Sequence, residues 1–311
     1  MARVTVIIPV YNGAATVAEA IESVLRQSFR DFELIVVDDG SVDGTTEVVE
    51  HYAGSLRLLI QSNAGIAGAR NAALRASSSE LVALLDCDDT WEPAMLERCV
   101  VALDADPAAV LAYTNLAVTD SNGTALGTVL VGPTTAHAPT LDEMFLQLWP
   151  IMPSAVVMRR RELEAVGGFS EAFRSYGFED VYCWLRLREL GSFQYLPEPL
   201  VNWRFAPFPR PLKRVTPSPE AQAIFVRLVH ERWGREVGPL LRSRRRASRS
   251  ILGFIGLMEL RNGRPRRARE AFRRALSLDP WRLKNYLRVL RTYLPAGVGR
   301  ALSGRTARPR A

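Results

Sequence analysis

Apolar runs and helical spacings alternate along the amino-terminal third of the chain. Each run is long enough for a strand buried on both faces. The four runs occupy residues 4–10, 32–37, 56–60 and 81–85. Helical spacing predicts helices at 14–27 and 45–52, and a glycine-bearing turn at 63–71 leads into a third helix. This strand–helix alternation predicts an α/β fold with a parallel, right-handed, doubly wound sheet.

The pattern becomes less regular beyond residue 107. Residues 110–113 and 154–158 predict further strands, and 119–124 predicts a hairpin turn. The predicted domains are a large α/β domain in two halves, then a proline-rich linker with a helix, then a basic helical extension with a disordered end. Their bounds are 1–205 (halves 1–105 and 106–205), 206–240 and 241–311.

Composition indicates a soluble globular protein. The 311 residues are 48% hydrophobic, and no apolar run reaches the roughly 18 residues that cross a bilayer. The start of the chain is typical of a short strand rather than of a signal peptide. The three cysteines and three histidines have no metal-binding spacing. We therefore expect a cytoplasmic protein without a zinc site.

The charge is unevenly distributed. Residues 1–241 hold 20 Lys and Arg against 30 Asp and Glu, a balance of −10, whereas 242–311 hold 20 against 3, a balance of +17. Arginines beside the apolar residues of 251–257 predict a peripheral amphipathic segment on an anionic membrane surface. A solvated basic helical face is the alternative. Nucleic acid is disfavoured because aromatic residues are not interleaved with the basic ones.

Three carboxylates follow the fourth apolar run. Asp86, Asp88 and Asp89 lie within four residues, at the carboxyl end of a predicted strand, where open α/β sheets bind ligands. Such close carboxylates repel one another, and a divalent cation such as Mg²⁺ or Mn²⁺ removes that repulsion. The alternative is an acidic turn in which Asp89 or Thr90 caps the following helix.

Two other strand ends converge on the same predicted edge. Tyr11 could stack on a nucleotide base, Asp39 could accept a base N–H, and the acidic cluster could hold a diphosphate through a cation. Strand-end packing for Tyr11 and turn capping for Asp38 or Asp39 are the alternatives. The turn at 65–68 is not the dinucleotide-binding glycine pattern, which disfavours a nicotinamide dehydrogenase. For the nearby Arg70, the two interpretations are contact with a phosphate group and a place on the surface of the helix.

Five segments together resemble the family 2 glycosyltransferases of GT-A fold. They are residues 6–12, 23–29, 33–41, 63–71 and 86–89, in order within a match covering roughly 3–205. The resemblance implies a GT-A nucleotide-sugar-binding fold with a doubly wound mixed sheet and a carboxy-terminal α-helical extension. It makes 1–205 the catalytic domain, with 1–105 as its donor half and 106–205 as its acceptor half. It also implies nucleotide-sugar-binding residues and metal ligands, here Pro9, Tyr11, Asn12, Asp39, Arg70, Asp86 and Asp88 for the donor, with Asp88 or Asp89 on Mn²⁺ or Mg²⁺.

A second acidic pair follows later in the chain. Glu179 and Asp180 begin a predicted helix, where acidic residues commonly complement the helix dipole. The resemblance makes them the acceptor-side catalytic motif, with Asp180 as general base in an inverting displacement. The chain departs from the family at Ala206, where a histidine is common, and this puts one metal or phosphate contact in doubt. No Gln-x-x-Arg-Trp motif follows, so a non-processive enzyme is expected.

The carboxy-terminal part resembles one tetratricopeptide-like helical hairpin, at 249–280 with its turn at 262–263.

The family resemblance leads us to expect a metal-dependent hexosyltransferase using a UDP-sugar and a glycan or lipid-linked acceptor. It would serve cell-surface polysaccharide synthesis at the inner face of the cytoplasmic membrane, with oligomer formation left open. The alternative function is a non-catalytic nucleotide-sugar or glycan-binding scaffold with a basic tail. A nucleotidyltransferase is weaker, because its glycine-rich phosphate loop is missing.

Overall fold

A computed structural model describes six stretches of the chain: residues 2–120, 124–129, 137–173, 177–204, 216–261 and 263–293. The predicted hairpin tip at 121–123, the proline-rich stretch 205–215, Ala206 and the predicted disordered end lie outside these residues. The chain divides into two compact units. The first comprises 1–206 with Pro217–Val237, and the second includes the chain from Gly238 onward.

The described residues of the first unit contain nine strands of one sheet: β1 (Val4–Val10), β2 (Phe32–Asp38), β3 (Arg57–Ile60), β4 (Leu81–Leu84), β5 (Thr90–Trp91), β6 (Ala109–Thr119), β7 (Ala125–Val129), β8 (Val156–Arg159) and β9 (Ser192–Arg204). Their order is β3-β2-β1-β4-β8-β6-β9-β5, and β7 pairs with β6. Strands β1 to β4 are mutually parallel where they pair, whereas β8 is antiparallel to both β4 and β6. The predicted α/β fold with a mixed sheet is confirmed.

Helices connect these strands. Those of the first unit are α1 (Val17–Leu25), α2 (Thr45–Glu50), α3 (Gly65–Arg75), α4 (Met95–Ala105), α5 (Leu141–Leu146), α6 (Arg160–Ala165), α7 (Glu179–Leu190) and α8 (Pro219–Trp233). Helix α1 shows why they form: Val17, Ala20, Ile21 and Val24 recur at helical spacing and are all buried. Ser218 begins α8 by accepting a hydrogen bond from the Ala221 amide.

The core lies around the three central strands. Every residue of β1 and of β4 is buried, as are the last five residues of β2. Strands buried on both faces need no polar alternation, and this explains their continuous apolar sequences. Because β1, β2 and β4 run parallel, their carboxyl ends meet at one edge of the sheet.

The second unit contains three described helices: α9 (Gly238–Arg261), α10 (Pro265–Leu278) and α11 (Leu283–Arg291). Helices α9 and α10 form a hairpin in which a Cβ on Gly256 would come within 2.3 Å of the Phe272 ring, so only glycine permits this approach. The amphipathic membrane segment at 251–257 stays a prediction. Leu252 and Ile255 are buried, whereas Ile251, Phe254 and Leu257 are half-buried.

Membrane-crossing helices are not found in the parts of the chain that the structure describes. No helix there combines the required length with sufficient hydropathy.

Candidate active site

The loops after β1 and β2 are tied to each other. Asn12 has a left-handed backbone (φ 53°), a conformation that asparagine tolerates better than most residues. Its Oδ1 atom accepts the Val42 amide at 2.9 Å, and its own amide donates to the Ser41 hydroxyl at 2.9 Å. Pro9 is buried in β1, whereas Tyr11 is 45% exposed just beyond it. A ring exposed at a strand end is available for stacking on a planar ligand.

Asp39 links the end of β2 to the start of α3. Its carboxylate accepts hydrogen bonds from the Gln61 amide nitrogen at 2.7 Å and from the backbone of Ala64 and Gly65 at 2.8 and 2.9 Å. The negative charge also suits the amino-terminal end of that helix. A carboxylate has about four acceptor positions, so three donors leave one for a ligand. The neighbouring Asp38 accepts the Ser41 amide at 2.9 Å, which makes Asp38 the turn cap.

Arg70 of α3 is completely buried, so a place on the helix surface is wrong for it. Its Nη2 atom donates to Asp86 Oδ1 at 3.0 Å, and Nη1 lies 3.9 Å from Glu179 Oε1. The guanidinium also lies over the Phe169 ring, 5.3 Å from its centroid. Among the described residues, its Nε and Nη1 atoms have no hydrogen-bond partner. Arg70 therefore bridges Asp86, in the acidic cluster at 86–89, and Glu179, in the acidic pair at 179–180.

Asp89 holds the acidic loop in place. Its Oδ2 accepts the Ser154 hydroxyl at 2.6 Å, and its Oδ1 accepts the Arg204 amide at 3.0 Å. The same Ser154 oxygen accepts the Asp86 amide at 3.1 Å. Helix α4 begins after Ala94 and has no side-chain cap, so the alternative in which Asp89 caps that helix is wrong.

The acidic loop can hold a divalent cation if a bound substrate completes the coordination shell of that cation. Burial, with a smaller contribution from the charge of Asp86, raises the pKa of Asp89 to about 7. A nearby cation would relieve this cost. No group of three or more His, Cys, Asp or Glu among the described residues is arranged to hold a metal. Magnesium commonly uses one or two carboxylates with substrate phosphates and water, which fits Asp88 beside a bound diphosphate.

The acceptor-side acidic pair begins α7 after a strained residue. Phe178 has φ 73°, which is unusual for a bulky side chain, and its ring stacks on Phe225 with centroids 4.4 Å apart. Successive helical residues point about 100° apart, so Glu179 and Asp180 differ in environment. Glu179 is 5% exposed near Arg70, whereas Asp180 is partly exposed and accepts the Val181 amide at 2.7 Å. Asp180 is therefore the more exposed carboxylate of the pair.

Asn71 is a positioning residue to which sequence analysis assigned no role. Its Oδ1 accepts the Phe169 amide at 2.9 Å, and its Nδ2 donates to the Phe169 carbonyl at 2.8 Å. Gly168 has φ 68°, and a Cβ there would lie 2.7 Å from Asn71 Oδ1. This contact sets the loop whose Phe169 ring lies against Arg70. The only sequence signal is the position of Asn71 directly after Arg70.

We expect Asn71→Ala to lower the free energy of unfolding by about 2–4 kcal/mol, since two buried backbone groups would lose their partner. Chemical denaturation of the full chain measures the change. Asn202→Ala is the matched control, because that amide donates to Glu92 at an exposed site and should cost less than about 1 kcal/mol. Equal effects of the two substitutions would contradict the positioning role of Asn71.

Comparison with known proteins identifies the family to which the chain belongs. The model of glycosyl transferase family 2 matches residues 5–166, just over half of the chain, so the chain belongs to this family. The Bacillus subtilis protein EpsE, described as a glycosyltransferase, is 30% identical over 62% of this chain and 69% of its own length. A chondroitin synthase of Escherichia coli is 29% identical over 62% of this chain.

The chain spans only part of several relatives. It covers 27% of that chondroitin synthase and 52% of an uncharacterized Nostoc glycosyltransferase with which it is 34% identical. Among solved structures, S. aureus TarS with UDP-GlcNAc has a TM-score of 0.57 at 16% identity, covering 96% of this chain and 91% of that one. A Pyrobaculum calidifontis mannosyltransferase with GDP-Man and Mn²⁺ has a TM-score of 0.57 at 20% identity, covering 97% and 81%. These likenesses confirm the GT-A fold.

Proposed function

We propose that the chain transfers a hexosyl group from a UDP-sugar to a hydroxyl of a glycan or lipid-linked acceptor, without processive elongation. The observation that carries the proposal is the Arg70 bridge, which brings Asp86 of the donor-side cluster and Glu179 of the acceptor-side pair to one guanidinium. A transferase needs both substrates in register. A binding scaffold has no need of a partly exposed carboxylate beside that bridge.

The donor would bind at the shared edge of β1, β2 and β4. Tyr11 would stack on the base, with Pro9, Asn12 and Asp39 shaping the base and ribose site. Asp86 and Asp88 would line the ribose and sugar. Mn²⁺ or Mg²⁺, when bound, would neutralise the leaving diphosphate, with Asp88 as its protein ligand and Asp89 holding the loop. Arg70 would set the charge of this region through Asp86 rather than touch phosphate.

Transfer would proceed by direct displacement. A carboxylate oxygen of Asp180 would take the proton of the acceptor hydroxyl while the hydroxyl oxygen of the acceptor forms a bond to the anomeric carbon. The bond from the anomeric carbon to the diphosphate oxygen breaks, and the nucleoside diphosphate leaves with the electron pair. Attack opposite to the leaving group inverts the anomeric configuration. Glu179 keeps Arg70 in place behind the base.

Cell-surface polysaccharide synthesis at the inner face of the cytoplasmic membrane is the setting we propose. Its support is the similarity to a chondroitin synthase and the strongly basic carboxy-terminal part. Donor binding is supported by the relatives solved with UDP-GlcNAc and with GDP-Man and Mn²⁺. Carboxylate oxygens such as those of Asp88 favour the same hard cations.

Calorimetric titration with UDP, GDP, CDP and dTDP, each with Mn²⁺ or with EDTA, tests the donor. We expect UDP to bind in the presence of Mn²⁺ and its affinity to fall by at least about tenfold in EDTA, because the diphosphate then meets several carboxylates without a cation. Selective binding of another nucleotide would replace the UDP assignment. No binding of any nucleotide would contradict transfer and favour the scaffold.

A further inference from the structure

Helix α11 presents its apolar side chains to solvent. Leu283, Leu287 and Leu290 are 71%, 58% and 62% exposed, and Tyr286 is 45% exposed. These four residues follow an i, i+3, i+4, i+7 spacing, so they form one face of the helix. The opposite side carries Asn285, which is 1% exposed. Water-soluble helices normally bury the apolar face, so this exposed face needs a partner.

Exposed aromatic residues lie next to the helix at both of its ends. Trp281 lies two residues before α11 and is 95% exposed, and Tyr293 lies two residues after it and is 56% exposed. Tryptophan and tyrosine have an apolar body with a polar tip, and they are enriched where hydrocarbon meets water at a membrane interface. We call Trp281, Leu283, Tyr286, Leu287, Leu290 and Tyr293 the α11 face.

Basic side chains surround the α11 face. Lys284 and Arg291 lie about 80–100° around the helix from Leu283, along one border. At its end, the Arg269 guanidinium lies 3.6 Å from the Tyr293 ring centroid, and Arg273 donates to the Tyr293 hydroxyl at 3.0 Å. Residues 238–293 hold 16 Lys and Arg against 3 Asp and Glu, a balance of +13. The partner must therefore offer apolar groups to the α11 face and negatively charged groups to the basic side chains at its border.

We propose that the α11 face docks on an anionic phospholipid bilayer, with α11 lying in the interface plane. A bilayer supplies acyl chains for the leucines and phosphate headgroups for the basic border. A second copy of this chain fits less well, since a symmetric contact would bring two strongly positive surfaces together. Docking requires no catalysis, so the inference is independent of the proposed transfer reaction.

Vesicle co-sedimentation of the full chain tests the proposal. The vesicles contain phosphatidylcholine alone, or phosphatidylcholine with an equal part of phosphatidylglycerol. We expect binding to the anionic vesicles only, and weaker binding as KCl is raised, because salt screens the basic border. Leu287→Gln with Leu290→Gln should lower partitioning by at least about tenfold. Its thermal midpoint should stay at the wild-type value, since both side chains are exposed.

Leu146→Gln is the matched control, because Leu146 belongs to α5 of the first unit and is 61% exposed, close to the 62% of Leu290. It should bind vesicles as the wild type does. Lys284→Gln with Arg291→Gln should reduce both the affinity and its salt dependence. Brominated lipid should quench the fluorescence of the wild type more than that of Trp281→Phe, since Trp281 would lie near the acyl chains.

Three results would overturn the proposal. They are equal binding to neutral and anionic vesicles, no binding to either, and unchanged binding of the Leu287→Gln, Leu290→Gln chain. Light scattering covers the second-copy case: a wild-type dimer that this double substitution converts to monomers would assign the α11 face to self-association. Nucleotide titration of the same samples keeps the outcome separate from the donor proposal.

Discussion

Asp180→Asn should reduce sugar transfer by about a thousandfold, while metal-dependent nucleotide binding stays at the wild-type level. The asparagine side chain cannot take the proton of the acceptor hydroxyl. Its carbonyl oxygen can still accept a hydrogen bond from the backbone N–H of Val181, so the start of α7 should stay folded. Release of nucleoside diphosphate at saturating donor and acceptor measures turnover. Calorimetry on the same preparation measures donor binding.

Glu47→Gln is the control for this substitution. Glu47 is exposed in the first turn of a helix, α2, and so tests what an acidic residue contributes there through the dipole. That contribution is about 0.3–1 kcal/mol of stability, with no effect on transfer. If Asp180 only complemented the dipole of α7, the two chains would behave alike. Normal turnover of Asp180→Asn would remove the general-base assignment.

Asp88→Ala should lower nucleotide affinity in Mn²⁺ by at least about tenfold, to the level that the wild type shows in EDTA. The reason is that Asp88 would be the protein ligand of the cation, and the diphosphate would otherwise meet the remaining carboxylates without it. Titration of UDP into both chains, with and without Mn²⁺, measures the metal-dependent part. The affinity of the variant should no longer respond to EDTA.

Asp89→Ala separates metal binding from loop positioning. This substitution removes the acceptor of the Ser154 hydroxyl and of the Arg204 amide, so the free energy of unfolding should fall by about 1–3 kcal/mol. Compared with Asp89→Ala, Asp88→Ala should lower the free energy of unfolding less and should weaken the dependence of nucleotide binding on Mn²⁺ more. Intact Mn²⁺ dependence in Asp88→Ala, together with its loss in Asp89→Ala, would reverse the two roles.

Much of the donor-side architecture could be predicted from local sequence. The apolar runs that became β1, β2 and β4 are continuous because these strands are buried on both faces, and parallel pairing then brings their carboxyl ends together. The acidic residues had to follow those runs to reach that edge. Placement of the donor-side acidic cluster therefore required no knowledge of distant contacts.

The roles within the site could not be predicted in this way. Asn71 pairs with Phe169 across 98 positions, Ser154 with Asp89 across 65, and Asp89 with the Arg204 amide across 115. No periodicity or motif encodes a contact over such separations. Sequence analysis left open whether Asp88 or Asp89 ligates the metal, and only the tertiary structure shows that Asp89 accepts the Ser154 hydroxyl and the Arg204 amide.

The sequence by itself determined the strands and helices of the amino-terminal third, and which carboxylates follow β2 and β4, because these properties follow from side-chain periodicity. Only the tertiary structure decided which side of each helix is buried. Arg70 is enclosed between Asp86 and Glu179, and Leu252 and Ile255 are buried, whereas Leu287 and Leu290 remain exposed. Burial depends on which distant element covers a face, and an amphipathic pattern shows only that one face requires a partner.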